Sequence, residues 1–497
     1  MEFTITHTDE VLVSHSGLAL AGALLQQSPL RQRLNEICLG ERKRPEVSHG
    51  DVLVAMIGLL CLGKSDYTDI EAYRQEEFFR RALGLKQLPS EETLRQRMDQ
   101  LGTMPLAILH DESARLIAHH VPVLTPCHGD WIPLDIDVSP FDNSGTKKEG
   151  VAWTYKKLDG YAPNFAYLGN EGYLIHGELR PGNQHCQEGT PEFLDKTIEL
   201  ARQVTQGRLL VRMDAGNDDG ENLRRLRKKK HVDWIIKRNL RRESEADWLE
   251  EAQCHGDWEF PREGKEVYTG ETSKERDGKL YRVVFEVIQR TITADGQRLL
   301  VPDIEIATWW TSLKLSPKQV IALYHQHGTS EQFHSELKGD LNLERLPSGK
   351  FATNALMLSL GLVAYNLLRL CGQTALAEND DLPPEAKMPL SKPVFRRRLR
   401  SVIQDLMYFA ARLTRHSNRW GLPLWRPNPR RSAKSFKKAD ANGTLPSTGS
   451  MPGGGTGNCT NNVFGRSMAV TKRRGSIACR STSMSLNRRQ APENFAG

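Results

Sequence analysis

The sequence predicts an α/β fold, in which a mixed sheet with flanking helices follows an α-helical N-terminal region. Apolar and polar residues alternate with period two over residues 132–138, whereas the preceding part of the chain has helical patterning. From residue 131 the segments are ordered as three strands, helix, strand, helix and strand, which is typical of an α/β sheet whose early strands are antiparallel. A second strand-rich stretch, over residues 240–310, predicts an insertion. The other predicted elements are strands at residues 165–168, 173–179, 208–213 and 232–236 and a helix over residues 191–206.

Capping residues support the predicted helices. Ser48 begins an apolar helical run, and Ser90 precedes an acidic first turn. Ser316, followed by Pro317 and by Gln319 at the capping-box position, starts another helix, and helical patterning continues to about residue 415. Short N-terminal helices with arginine-bearing ends fit a DNA-reading module, although they fit any helical bundle equally well.

The composition is that of a soluble globular protein. The 497 residues are 26% charged and 38% hydrophobic, and their eight cysteines form no Cys-x-x-Cys pair that would indicate a zinc site. No apolar run reaches the ~18–20 residues of a bilayer span, and the N-terminus does not resemble a secretory signal. The net charge of +7 lies in the segment after residue 429, which has twelve basic and two acidic residues, so the rest of the chain has a net charge of −3.

Two predicted strands each end near an aspartate. Asp137 lies in the first strand and is followed two residues later by Ser139, and Asp214 comes directly after residues 208–213. Carboxylates on neighbouring strands can converge, and hard cations such as Mg²⁺ prefer oxygen ligands. A lone aspartate after a strand is more often a turn or cap residue. Asp135 is an alternative to Asp137 on the same strand.

A third carboxylate lies in the predicted helical segment after residue 316. Tyr324, His327, Glu331 and Lys338 are spaced so that a regular helix would place them on one face. This face would present a carboxylate beside a phenol and two groups that can be cationic, which suits a metal site next to a DNA phosphate.

This segment resembles the Tyr-x2-Arg-x3-Glu-x6-Lys signature of bacterial insertion-sequence transposases of the DDE type. His327 stands where that signature has Arg, so its charge depends on pH. The family pattern Asp-x-Ser/Thr is similar to Asp137 and Ser139, and the second family aspartate corresponds to Asp214. The resemblance implies a ribonuclease-H-like mixed sheet, with the strand-rich insertion placed before the helix that bears the catalytic glutamate.

The resemblance also implies the chemistry. Asp137, Asp214 and Glu331 would hold two Mg²⁺ ions, for which Mn²⁺ can substitute, and would catalyse DNA cleavage at terminal inverted repeats and strand transfer. The implied partners are double-stranded DNA, as transposon ends and target, and further copies of the chain in a homodimer or higher oligomer. No membrane partner is expected, and the implied location is the bacterial cytoplasm, at the nucleoid. The alternatives are a catalytically inactive transposase-derived DNA-binding protein or repressor, and a nuclease that does not join ends.

Basic and aromatic residues are the predicted DNA contacts. Tyr324, His327 and Lys338 would lie near the cut, and a basic cluster would contact phosphates without reading sequence. The cluster residues are Arg224, Arg225, Lys228, Lys229, Lys230, Lys237 and Arg238. One of four tryptophans in and around the insertion, Trp248, Trp258, Trp309 and Trp310, is expected to stack on a flipped base.

The predicted organisation has five segments. They are a helical DNA-binding region (1–129), the first part of the catalytic core (130–239), the strand-rich insertion (240–312), the second part of the core with C-terminal helices (313–426) and a basic disordered tail (427–497).

Overall fold

The computed structural model describes residues 10–40, 45–120, 124–380, 396–416 and 419–423. The helices are α1 (Leu18–Gln26), α2 (Leu30–Asn35), α3 (His49–Cys61), α4 (Glu77–Ala82), α5 (Glu91–Leu101), α6 (Leu106–His120), α7 (Thr190–Val204), α8 (Gly220–Lys228), α9 (Glu245–His255), α10 (Pro317–His325), α11 (Ser330–Ser335), α12 (Phe351–Asp380) and α13 (Leu399–Val402). The strands are β1 (Val11–Val13), β2 (Trp131–Val138), β3 (Phe141–Asp142), β4 (Ala152–Trp153), β5 (Asp159–Tyr161), β6 (Asn164–Leu168), β7 (Tyr173–Glu178), β8 (Arg208–Met213), β9 (Val232–Lys237), β10 (Asp257–Arg262), β11 (Lys265–Arg276), β12 (Lys279–Ile292), β13 (Arg298–Thr311), β14 (Ala411–His416) and β15 (Arg419–Gly421).

The helical N-terminal region is confirmed, and its helices begin where the capping residues predict. The Ser48 hydroxyl accepts a hydrogen bond from the Asp51 amide at 3.1 Å, and the Ser90 hydroxyl accepts one from the Thr93 amide at 3.2 Å. These bonds satisfy amide groups that the first turn of a helix leaves without an intrahelical partner. Every residue of α3 is buried, because α3 packs against α12 as well as its N-terminal neighbours.

The central sheet confirms the predicted fold class. Its nine strands are ordered β10-β11-β12-β13-β9-β8-β2-β6-β7. β2, β8 and β9 are parallel, whereas β6 is antiparallel to both β2 and β7. Counted along the chain, β2, β6, β7, β8 and β9 therefore have the order 3-2-1-4-5 with the second strand reversed, which is the ribonuclease-H-like arrangement.

The strand-rich insertion extends the same sheet. β13 pairs antiparallel with β9, and β12, β11 and β10 follow outward as antiparallel neighbours. The insertion also contains α9, which the sequence analysis did not predict. Ser244 caps the N-terminus of α9, since its hydroxyl accepts a hydrogen bond from the Asp247 amide.

A second, smaller sheet lies between β2 and β6 along the chain. It consists of β3, β5 and β4 in that order, with strands of two or three residues. Such strands are too short to give a period-two pattern, which is why the sequence analysis missed them.

The long helix α12 joins the N-terminal helices and the sheet in one core. It packs against α3, α6 and β7. Residues Phe351–Ala377 are apolar and long enough to cross a membrane, but 94% of their most apolar window is buried inside the protein. The prediction that no segment reaches this length is wrong for α12, in which Asn354, Asn366 and Arg369 interrupt the apolar run. Burial among protein elements accounts for its apolar character.

The C-terminal part departs from the predicted helical pattern. β14 pairs with β1 from the N-terminus and with β15, so helical structure does not continue to residue 415. Long-range pairing with β1 decides this strand, and a local pattern cannot show it. The predicted tail, residues 427–497, lies outside the described residues.

Candidate active site

Strand register places the predicted aspartates side by side. Asp135 on β2 is the register partner of Arg212 on β8, and the two strands are parallel. Side chains two residues apart on a strand share one face, so Asp137 and Asp214 are the next positions on that face. The sequence therefore brings two carboxylates to the ends of adjacent parallel strands at the centre of the sheet.

Asp135 belongs to a buried ionic group, whereas Asp137 is partly exposed. The guanidinium of Arg212 donates to both carboxylate oxygens of Asp135, at 2.6 and 2.8 Å. The Nδ1 atom of His327 lies 3.1 Å from the same carboxylate. Burial alone would raise the pKa of Asp135, but Arg212 and His327 hold that pKa below its ordinary value. This pairing makes Asp137 a better candidate for the first ligand than Asp135, as the sequence pattern favours.

Asp137 is held by side chains of α11. Nε2 of His334 lies 3.2 Å from its Oδ2 atom, and the Ser330 hydroxyl donates to the same oxygen at 3.4 Å. The other ring nitrogen of His334 lies 3.1 Å from the hydroxyl of the buried Tyr167. Burial alone would raise the pKa of Asp137, but the hydrogen bond with His334 and the charge of that ring lower it. Asp137 is therefore oriented and ionised.

The environment of Asp214 differs from that of Asp137, because it raises the pKa of the carboxyl group instead of lowering it. It directly follows β8, and the Asn217 side-chain amide donates to its Oδ1 atom at 2.6 Å. Burial and the negative charge of Asp137 raise the pKa of Asp214 above its ordinary value. Repulsion between two close, largely buried carboxylates is the electrostatic condition that a bound cation relieves.

Tyr324 and Lys338 lie near these carboxylates, as predicted. Burial, followed by the charges of Asp214 and Asp137, raises the pKa of the Tyr324 hydroxyl. The Lys338 ammonium donates to the carbonyl of Pro140 at 2.6 Å and so holds the chain three residues after Asp137.

His327 does not occupy the predicted position. It is only 6% exposed, and its partner is Asp135. Burial alone would lower the pKa of His327, but the adjacent Asp135 raises it. His327 is therefore not accessible to the DNA phosphate that it was predicted to contact, because its ring is enclosed beside Asp135.

Glu331 is exposed on α11, beside residues that contact Asp137. Ser330 precedes it and His334 follows it by three positions, and both bond to Asp137. The segment is not one regular helix, since a 3-10 turn covers Gln326–Thr329 and a π turn covers Glu336–Asp340. Among the described residues, no three His, Cys, Asp or Glu side chains lie close enough to form a metal-binding group. The structure thus brings Asp137 and Asp214 together and leaves Glu331 at the rim.

Comparison with known proteins identifies the family. A family profile described as transposase DDE domain group 1 matches residues 2–422. The chain belongs to this transposase family. No curated protein sequence matches it. Among solved structures, the chain is similar to one described as a piggyBac transposase synaptic complex with hairpin DNA, with 10% identity, 80% coverage of each chain and a TM-score of 0.41.

The predicted basic cluster of this transposase is partly neutralised. Arg225 pairs with Glu192, Asp195 and Glu221, and Lys229 pairs with Asp195. These ion pairs connect α8 to α7. They also reduce the net positive charge of the cluster below the charge that the sequence indicates.

Within the same cluster, Arg238 is buried and the remaining residues are not. Arg238 is 7% exposed, pairs with Glu243 and lies over the Trp310 ring, so the prediction that it contacts DNA is not supported by its position. Arg224 is exposed but pairs with Glu221. Lys228 and Lys230 are exposed and Lys237 is half-buried.

Three of the four tryptophans proposed for base stacking lie in the core of the transposase. Trp248, Trp309 and Trp310 are 2%, 1% and 1% exposed, respectively. Trp258 on β10 is 58% exposed and is accessible to a ligand. The burial of Trp248, Trp309 and Trp310 indicates that these three side chains have packing roles.

Sequence reasoning missed three residues that shape the site: Arg212, His334 and Tyr167. Arg212 had a usable signal, because it lies two positions before Asp214 on the same strand face. His334, three residues after Glu331 on the helix, also had a positional signal. Tyr167 had none, since only the pairing of β6 with β2 brings it there.

The side chains present suit a divalent cation in part. Asp137 and Asp214 supply oxygen donors and a local excess of negative charge, which is what Mg²⁺ binding requires. Glu331 would complete the set only if its exposed carboxylate turned toward Asp137.

Proposed function

We propose that the transposase cleaves DNA at terminal inverted repeats and joins the cleaved strand to target DNA, with divalent metal ions held by Asp137, Asp214 and Glu331. The adjacency of Asp137 and Asp214 at the ends of β2 and β8 is the main support. Two Mg²⁺ ions, or Mn²⁺ in their place, would supply Lewis acidity for attack on a phosphodiester.

The residues of the chain have distinct tasks in this proposal. Ser330 and His334 orient the Asp137 carboxylate, and Asn217 orients Asp214. Lys338 fixes the backbone just after Asp137. The Asp135–Arg212 ion pair locks the register of β2 and β8, so that the two ligand strands do not shift.

DNA binding and assembly follow from the reaction. The exposed Lys228 and Lys230, together with Arg224 and Lys237, are proposed to contact phosphates of the transposon end or the target. We further propose that two or more copies act together, because two transposon ends must be joined to one target. We propose that the reaction takes place at the nucleoid in the bacterial cytoplasm, because its proposed substrate is DNA.

The test is a nicking assay with the Glu331→Ala variant on DNA that flanks the gene. We expect this variant to bind DNA like the unchanged protein and to lose Mg²⁺-dependent nicking. The exposed Glu250 of α9 supplies a matched control, because Glu250→Ala removes the same charge away from the site. Undiminished nicking by Glu331→Ala would refute its role as a ligand.

A catalytically inactive, transposase-derived DNA-binding protein or repressor is the second candidate. The exposed position of Glu331 and the burial of His327 where the signature has Arg favour it. Unchanged protein that binds DNA but shows no nicking with Mg²⁺ or Mn²⁺ would support this candidate. Nicking without joining to a second DNA would instead indicate a nuclease.

A further inference from the structure

A hairpin next to the two aspartates presents two exposed aromatic rings. This aromatic hairpin comprises residues 151–161 and includes β4 and β5, which pair antiparallel. Trp153 is 61% exposed and Tyr155 is 64% exposed. Large aromatic side chains at a surface without a local packing role commonly mark a binding site.

The aromatic hairpin is firmly anchored at its base. The Tyr161 hydroxyl donates to the Glu149 carbonyl at 2.9 Å, and the Glu149 amide donates to the Gly349 carbonyl at 2.9 Å. β5 also lies so close to β3 that a Cβ atom on Gly160 would come within 1.9 Å of the Phe141 carbonyl oxygen. The base of the hairpin is therefore fixed against the body of the protein.

The tip of the hairpin is a defined turn. The Thr154 amide donates to the Leu158 carbonyl at 2.9 Å, and the Lys157 amide donates to the Thr154 carbonyl at 3.0 Å. Lys157 has a positive φ of 61°, which a turn of this kind requires of one residue. A preformed turn loses little conformational freedom on binding.

Tyr155 links the hairpin directly to the strand that bears Asp137. Its hydroxyl donates to the Val138 carbonyl at 3.1 Å, while the ring remains exposed. Enclosure of the hydroxyl, followed by the charges of Asp137 and Asp214, raises the Tyr155 pKa, so both carboxylates act on this group. The Tyr155 ring therefore lies at the end of β2 that bears Asp137.

Two lysines lie beside Tyr155 at the tip of the hairpin. Lys156 and Lys157 are exposed at the tip, and the Lys156 ammonium lies 6.0 Å from the centre of the Tyr155 ring. Aromatic rings interleaved with lysines are the combination that binds single-stranded nucleic acid.

We propose that Trp153 and Tyr155 form a stacking platform for an unpaired base of the DNA strand that lies at Asp137 and Asp214, and that Lys156 and Lys157 contact the phosphates of that strand. This inference rests on the proposed DNA-cleaving function and adds a binding site for an unpaired nucleotide. It assigns the stacking role to the catalytic core and not to the tryptophans of the insertion.

The experiment measures fluorescence of 2-aminopurine placed as an unpaired base in a forked DNA duplex of arbitrary sequence. Full-length protein is added in the presence of EDTA, so that no cleavage occurs. Stacking on an aromatic ring quenches this fluorophore. We expect quenching by the unchanged protein, and we expect the double variant Trp153→Ala/Tyr155→Ala to bind the fork about 5- to 100-fold more weakly with little quenching.

Three further variants sharpen the result. Trp153→Phe keeps a ring and should retain most of the quenching. Trp258→Ala removes the one exposed tryptophan among the four of the insertion and should leave quenching unchanged. The double variant Lys156→Gln/Lys157→Gln should weaken binding and reduce its salt dependence, while quenching at saturation remains.

The outcomes separate this inference from the proposed cleavage function. Equal quenching by the unchanged protein and Trp153→Ala/Tyr155→Ala, or loss of quenching in Trp258→Ala, would overturn the stacking platform even if the protein nicks DNA. Specific quenching in a protein that never nicks DNA would support the platform and count against cleavage.

Discussion

At the residue scale, two aspartates on one strand face have different roles because their partners differ. Alternation along β2 shows that Asp135 and Asp137 share a face, but only the pairing with β8 shows that Arg212 neutralises Asp135. A buried carboxylate without such a partner would cost several kcal/mol. The partner across the sheet thus distinguishes a structural aspartate from a candidate metal ligand.

Substitution of His334 tests how the orientation of the Asp137 carboxylate affects DNA cleavage. His334→Ala removes the hydrogen-bonding partner of Asp137 without touching the exposed protein surface. We expect DNA cleavage to fall about 10- to 100-fold, as for other groups that orient metal ligands. Single-turnover cleavage rates, compared with DNA affinity, measure this effect.

The matched control for His334 is His325→Ala, since His325 is exposed at the end of α10. A fall in DNA affinity that equals the fall in the cleavage rate of His334→Ala would contradict a positioning role. Partial recovery in His334→Gln, which can still donate a hydrogen bond, would support it.

At the element scale, the segment from α10 to the π turn shows where local signals succeed and fail. The capping box at Ser316 and Gln319 was predicted and is present in the structure. The single face of a regular helix was not found, because buried Glu336 begins a π turn and pairs with Arg369 and Arg396. These arginines lie far along the chain, so helical spacing alone could not reveal the change.

The contact between α12 and β7 allows a second prediction. β7 is an edge strand, and the Asn366 side chain both accepts from the Leu174 amide at 2.9 Å and donates to the Leu174 carbonyl at 2.7 Å. Asn366→Ala leaves two buried backbone groups without a partner, at a cost of about 1–3 kcal/mol each. Urea unfolding measures this loss of stability.

A control on the surface keeps this prediction specific. Gln87→Ala, which removes an exposed amide bonded to Glu46, should change the unfolding free energy by less than about 0.5 kcal/mol. Equal stability of Asn366→Ala and the unchanged protein would show that α12 does not complete the edge of the sheet.

At the scale of the whole molecule, buried histidines couple stability to pH. Burial lowers the pKa of His110 to about 4, and it lowers the pKa of His176 well below its ordinary value. The two rings pack 5.0 Å apart between α6 and β7. Their neutral forms are favoured in the folded state, whereas in the unfolded chain they take up protons below about pH 6.5.

Stability should therefore be complete above about pH 6.5 and fall as the pH drops toward 4. Each of these histidines contributes up to about 1.4 kcal/mol per pH unit in that window. Urea unfolding at pH 7 and pH 5.5 measures the fall, and His176→Gln should reduce it. A pH-independent unfolding free energy in that range would contradict the prediction.

The sequence alone predicted most of the fold and the adjacency of two residues of the candidate site, Asp137 and Asp214. Strong local patterns located the core strands and the capped helices, and the strand ends predicted that Asp137 and Asp214 converge. Long-range contacts determined the rest: the pairing of β14 with β1, the burial of His327 against Asp135 and the exposed position of Glu331. None of these has a signature within a few residues.

The most direct test of the account is Mg²⁺-dependent nicking of gene-flanking DNA by the unchanged protein and by Asp137→Asn and Asp214→Asn. Both substitutions preserve shape and remove one carboxylate charge, so DNA binding and folding should persist. We predict nicking by the unchanged protein and its loss in both variants. Nicking at the normal rate in either variant would contradict the claim that these two carboxylates form the catalytic centre.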